Sequence, residues 1–112
     1  MFGHKNNNIE ALVEKHHWKK VEKALETADA AGRLAACLAF ERTNDDEGRN
    51  LLVVLLSDPD PAVQLQAVKS LGVVGTTETV SHLRMLAGRT PESNVELTQA
   101  LKASIAATKD RQ

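Results

Sequence analysis

The chain has no tyrosine, one tryptophan and two phenylalanines, so aromatic side chains make up only 3% of its 112 residues. Trp18, Phe2 and Phe40 cannot build a core alone, which leaves leucine, valine and alanine, residues that close-pack between helices. Cysteine is equally scarce. Cys37 is the single one, inside the apolar run LAACLAF, so an internal disulfide is excluded, a reducing compartment suits it, and a small core residue is expected. No apolar run approaches the ~20 residues that a membrane span needs; the longest, LAACLAF, covers residues 34–40, and LLVVLL covers 51–56. The opening MFGHKNNNIE lacks the apolar stretch of a secretory signal, so a cytoplasmic protein with no membrane partner is expected. Nor is there a long block of one charge. Fourteen basic against fifteen acidic side chains leave a formal charge of −1, which removes the electrostatic footprint of a nucleic-acid binder.

What the chain does have is helical signal. At this length it forms one domain and buries well over half of the surface its unfolded form exposes. Residues 57–75, SDPDPAVQLQAVKSLGVVG, carry a complete helix with its punctuation. Asp60 is a good N-cap, and Pro61 fits the first helical position, where its missing N–H costs nothing. Val63, Ala67, Ser70, Leu71 and Val74 fall on one stripe, and Gly75 is expected to stop the helix by entering the left-handed region.

The other segments follow the same grammar. Residues 1–8 are expected to fray until an asparagine near Asn8 caps a helix over 9–16, with Ile9, Leu12 and Val13 inward. A second helix places Trp18, Val21, Leu25 and Ala28 opposite Lys19, Lys20, Glu22 and Lys23. Asp29 caps a third through Arg42, in which Ala35, Ala36, Ala39 and Phe40 allow a neighbour to come close. Asn44 and Glu47 read as a capping box for a fourth helix to Leu56, covered on more than one side; a buried strand is the competing reading. Thr76 or Thr77 starts a fifth to Ala87, with Val80, Leu83, Leu86 and Ala87 inward and Gly88 as its stop. Ser93 and Glu96 form a capping box for the last, whose stripe is Leu97, Ala100, Leu101, Ser104, Ile105 and Thr108.

These helices repeat. Trp18, Val21 and Leu25 map onto Arg49, Leu52 and Leu56, and again onto Val80, Leu83 and Ala87, at a constant step of 31; Asp29 maps onto Asp60 by the same step. The second helix of the third copy slips by one to three residues because GRTPES lengthens its connection. Repeats over approximately 17–43, 44–75 and 76–109 predict a solenoid in which each unit buries its face against its neighbours.

The order D-x-x-V-x-x-x-A-x-x-x-L-G-x-x-G, carried by Asp60, Val63, Ala67, Leu71, Gly72 and Gly75, resembles HEAT repeats, of the HEAT-like type also seen in phycobilin lyases. The opening MFGHKNNNIEALVEKHHWKKVEKAL resembles the start of small prokaryotic HEAT proteins. The resemblance implies an all-α fold, a short right-handed α-α superhelix of three helix pairs plus an N-terminal helix, with the second helix of each pair on the concave side. The family's frequent arginine after the buried valine is kept as Arg33 but is Gln64 in the second copy, so an Asp–Arg ladder between repeats is incomplete.

Chemistry finds little footing. His16 and His17 are adjacent and point about 100° apart on a helix, unlike ligands at i and i+4. No histidine is followed by glutamate, the pair that the resemblance implies for iron-binding HEAT-like hydroxylases, so no metal, cofactor or catalytic site is expected. Lys15, His16, His17, Lys19, Lys20 and Lys23 concentrate positive charge, but Glu14, Glu22 and Glu26 are interleaved with them. A solvated face with Lys19–Glu22 and Lys23–Glu26 salt bridges is the reading. HEAT-like DNA glycosylases resemble much longer arrays, and no nucleic-acid partner is expected.

The expected function is a protein-interaction scaffold or adaptor, not an enzyme, that binds a peptide or helix of another protein on its concave face. The alternative is an accessory subunit of a lyase-type, phycobilin-lyase-like enzyme. The helix wheel puts Leu65 and Lys69 outward, with Leu34 and Leu38 equivalent in the first pair and, at a step of about 33, Thr98 and Lys102 in the third. Together they predict a ridge, apolar at one end and basic at the other. The competing reading packs Leu34 and Leu65 against the flanks of adjacent helices.

Overall fold

Seven helices make up the computed structural model, which describes residues 5–111. They are α1 (Lys5–Glu14), α2 (Trp18–Thr27), α3 (Ala30–Thr43), α4 (Asp46–Leu55), α5 (Pro61–Val74), α6 (Thr77–Gly88) and α7 (Val95–Arg111), with no strand among the described residues. The strand reading of LLVVLL is therefore overturned: residues 51–55 continue α4 and Leu56 caps its end.

Several caps form as the side-chain chemistry requires. Asp60 Oδ1 accepts from the Ala62 and Val63 N–H groups at 2.8 and 3.3 Å, and Pro61 occupies the first turn of α5. Asp29 accepts from the Gly32 N–H at 2.8 Å, and Thr76 and Thr79 close a reciprocal capping box on α6. Other boundaries differ from the sequence reading. Asn44 does not start α4. It ends α3 in the left-handed region (φ 55°), its N–H bonded to the Phe40 carbonyl at 3.1 Å, and Asp45 takes the N-cap of α4; asparagine tolerates that conformation better than most residues. Asn94, not Ser93, caps α7 through the Leu97 N–H at 3.3 Å.

At the other end, α1 already runs from Lys5, so Asn8 lies inside it. The remainder of the expected frayed segment, residues 1–4, lies outside the described residues. α1 stops at Glu14 because His16 turns left-handed (φ 61°) and bonds to the Val13 carbonyl while His17 reaches back to Leu12, the paired bonds of a Schellman motif. Gly75 is not left-handed either: its φ is −68°. A Cβ there would collide with the Leu71 carbonyl and lie 2.7 Å from Thr79 Oγ1, so glycine is needed for room against the last turn of α5 and against the start of α6.

The helices stack in two layers. α1, α3, α5 and α7 form one continuous row, each packed closely on the next, while α4 and α6 back onto α5 and α7. α2 leans on α1 more than on α3. The resulting slab measures 41 × 30 × 16 Å, two helices thick at the usual ~8–10 Å spacing. Its core is aliphatic with Phe40 as the one large ring: Ala36, Val63, Ala67, Leu71, Leu83 and Leu101 are at most 1% exposed. Trp18 is half-buried, its ring 6.2 Å from that of Phe40. Val54 and Ala87, expected to be covered, are exposed: Val54 lies opposite the stripe of Leu52, Leu55 and Leu56, and Ala87 stands in the last turn of α6.

The row closes tightly where small residues meet. A Cβ on Gly72 would sit 2.6 Å from Ser104 Oγ, and that hydroxyl donates to the Val68 carbonyl at 2.8 Å. Between α3 and α5, Ser70 Oγ donates to Glu41 Oε2 at 2.6 Å. The partial ladder is visible too. Arg33 holds Asp58 through Nε and Nη2 at 2.7 and 3.1 Å and donates to the Ala28 carbonyl, which caps α2. Gln64 gives the second pair only the corresponding backbone bond, to the Leu56 carbonyl that caps α4.

Candidate functional site

The residues predicted to form a ridge all lie on the α3–α5–α7 row, and the row divides them. Leu38 is 39% exposed, and Lys69 and Lys102 are exposed, with no ion pair formed by either. Leu34, Leu65 and Thr98 are half-buried, and the two leucines pack against the core. The outward stripe nonetheless carries more apolar surface than the helix wheel identified, because Val73, one turn after Lys69, is 58% exposed.

Register decides what continues that stripe on α7. The inner-row caps Asp29, Asp60 and Asn94 stand 31 and 34 residues apart. The buried set Val63, Ala67, Ser70 and Val74 recurs 34 residues on as Leu97, Leu101, Ser104 and Thr108. Gln99 and Ala103, both exposed, therefore hold the places of Leu65 and Lys69. Thr98 and Lys102 stand one step round the helix, where they line a cavity of about 470 Å³ with Val95, Leu101, Ile105 and Ala87. The outer layer keeps the step of 31, as the fully buried Val21, Leu52 and Leu83 attest. The longer GRTPES connection shifts α7 alone.

A second depression lies between α2 and α4, lined by Glu22, Leu25, Glu26, Leu51, Val54 and Leu55, about 250 Å³ in volume. Sequence reasoning missed it by counting the whole run 51–56 as covered. The signal was there: Leu52, Leu55 and Leu56 make the stripe, and Val54, 66% exposed, is out of phase with it.

The groups considered for chemistry are placed elsewhere. Cys37 is fully buried, and burial first, then the nearby Asp58 and Glu41 charges, push its thiol up to about 12, so it stays protonated. His16 meets Asp45, Nδ1 to Oδ2 at 2.8 Å, in a pair whose histidine is 56% exposed. The expected Lys19–Glu22 and Lys23–Glu26 bridges do not form: all four side chains are exposed, and none enters an ion pair. Exposed pairs at that spacing gain only a few tenths of a kcal/mol, less than the freedom two long side chains lose. No cluster of three or more histidine, cysteine or acidic side chains among the described residues is arranged to hold a metal ion. No described helix is long and apolar enough to cross a membrane.

A family model described as HEAT repeats matches residues 19–102. No curated protein and no solved structure matches the chain.

Proposed function

The chain belongs to the HEAT-repeat family, and from that footing we propose that it is an adaptor which holds a peptide or helix of another protein against the α3–α5–α7 row. HEAT repeats in general are protein-interaction scaffolds. The observation that carries the finer reading is the outward stripe of that row, where exposed Leu38 and Val73 stand with the unpaired Lys69. Apolar surface beside an unneutralised cation suits an amphipathic or acidic segment. Lys102, at the mouth of the cavity in the last pair, extends the positive charge towards α7. The reading includes no catalytic step and sets the protein in the cytoplasm; no feature of the geometry favours a lyase accessory subunit.

Leu65 is half-buried, so its replacement would confound folding with binding. Leu38→Asp with Lys69→Glu is the cleaner test. Surface changes of this kind cost within ~0.5 kcal/mol, so the double variant should melt near the wild-type temperature. Affinity purification from host lysate with mass spectrometry should then lose a protein that the wild type retains. An unchanged set of captured proteins would sink the assignment to this face.

A further inference from the structure

The second layer is open between α2 and α4, and the opening has a cause. α2 leans on α1 and touches α3 little, while α4 is drawn onto α5. The floor left between them is apolar: Leu25 comes from α2, and Leu51, Val54 and Leu55 from α4, with Val54 66% exposed. The space of about 250 Å³ falls short of the ~300–1,000 Å³ typical of small-molecule pockets but far exceeds the ~30 Å³ share of one water. It is the size for anchoring side chains.

One wall of this groove is charged. Glu22 and Glu26 line it from α2, four residues apart and hence on one face. Both are exposed, and neither enters an ion pair. The cation that also lines the groove, Arg33, is engaged by Asp58 and the Ala28 carbonyl. An apolar floor beside two unneutralised carboxylates specifies the complement it accepts.

We propose that the α2–α4 groove docks an amphipathic helix of another protein, one carrying leucine-like side chains at i and i+4 and lysine or arginine on the flank that faces α2. The leucines cover Val54 and Leu51, and the cations answer Glu22 and Glu26, which fixes the orientation of the bound helix. The groove belongs to the other helix layer from Leu38 and Lys69, and its use does not depend on what binds to those residues.

The test is an NMR titration of the full ¹⁵N-labelled chain with a synthetic amphipathic helix bearing two leucines four apart and two flanking lysines, beside a twin with glutamates for the lysines. The lysine peptide should produce saturable shifts at the Leu25, Leu51 and Val54 amides, weakening as salt rises. The glutamate twin should bind at least about tenfold more weakly, ~1.4 kcal/mol. Glu22→Lys with Glu26→Lys should reverse that preference without moving the melting temperature, and Val54→Asp should abolish binding. The proposal fails if neither peptide gives saturable shifts, if the twins bind equally, or if shifts map to the α3–α5–α7 row. It fails equally if the chain alone forms a concentration-dependent dimer that Val54→Asp disperses, since a second copy then fills the groove.

Discussion

Arg33 is the side chain on which the first two helix pairs meet, because its fork reaches Asp58 in the α4–α5 connection while a third N–H holds the end of α2. The Asp58 side chain is 4% exposed. Burial alone pushes its carboxyl up, but the bonds from Arg33 and from the Asp60 N–H, with the guanidinium charge, outweigh burial and hold it below the ordinary aspartate value. The lowered value means that the unfolded chain takes up this proton first as pH falls. The stability it contributes is therefore complete above ~3.9, the unfolded value, and drains away as pH drops through the folded one. Urea midpoints should fall steeply in that acid window, and Asp58→Asn should flatten the slope. Asp58→Ala at neutral pH should cost about 3 kcal/mol, since it strands a largely buried guanidinium, whereas Arg33→Met with Asp58→Leu together should cost much less. Two glycines make a matched contrast. Gly72→Ala drives a methyl into Ser104 and should destabilise by about 1–3 kcal/mol, while Gly88→Ala meets open space and should gain about 0.5 kcal/mol from the less flexible unfolded chain. Equal thermal melts for these two variants would refute the packing account.

At the scale of the element, each inner helix depends on a cap whose position differs in legibility. Asp60→Ala should cost about 1 kcal/mol by removing the acceptor for two N–H groups. For α7 the same loss belongs to Asn94→Ala, with Ser93→Ala within ~0.5 kcal/mol, because Asn94 is the residue that reaches the Leu97 N–H. A thermal melt that ranks Ser93 above Asn94 would restore the capping-box reading of Ser93 and Glu96. Both residues are plausible caps by type, and only the geometry at the end of the α6–α7 connection separates them.

For the whole molecule, stability runs along the row. α5 is covered on both flanks by α3 and α7 and from behind by α4, and half of its residues are buried, whereas α2 buries only Val21. In a solenoid each element owes its protection to its neighbours. Hydrogen exchange should accordingly be slowest in the amides of α5 and fastest, among helix interiors, in α2. Uniform protection across the seven helices would contradict this ordering. The same looseness of α2 opens the groove beside α4, so the least protected element borders the proposed docking site.

The seven helices, their inward stripes and the outer step of 31 were readable in the sequence because caps and 3.6-residue periodicity act over a few residues and leave a local record. Ile9, Val21, Leu52, Val63, Leu83 and Leu101 declare themselves in that way. What depends on distance in space did not. Gly75 is required by the crowding of the Leu71 carbonyl and Thr79 Oγ1 around its Cα rather than by a left-handed backbone angle, and Leu65 is half-buried because α5 sits deep in the row. Thr98 and Lys102 leave the ridge because α7 is displaced by three residues relative to the repeat. The α2–α4 groove exists because α2 prefers α1 to α3 as its support. Each of these outcomes is set by which atoms approach one another once the helices are placed, a quantity that no apolar periodicity within a single helix contains.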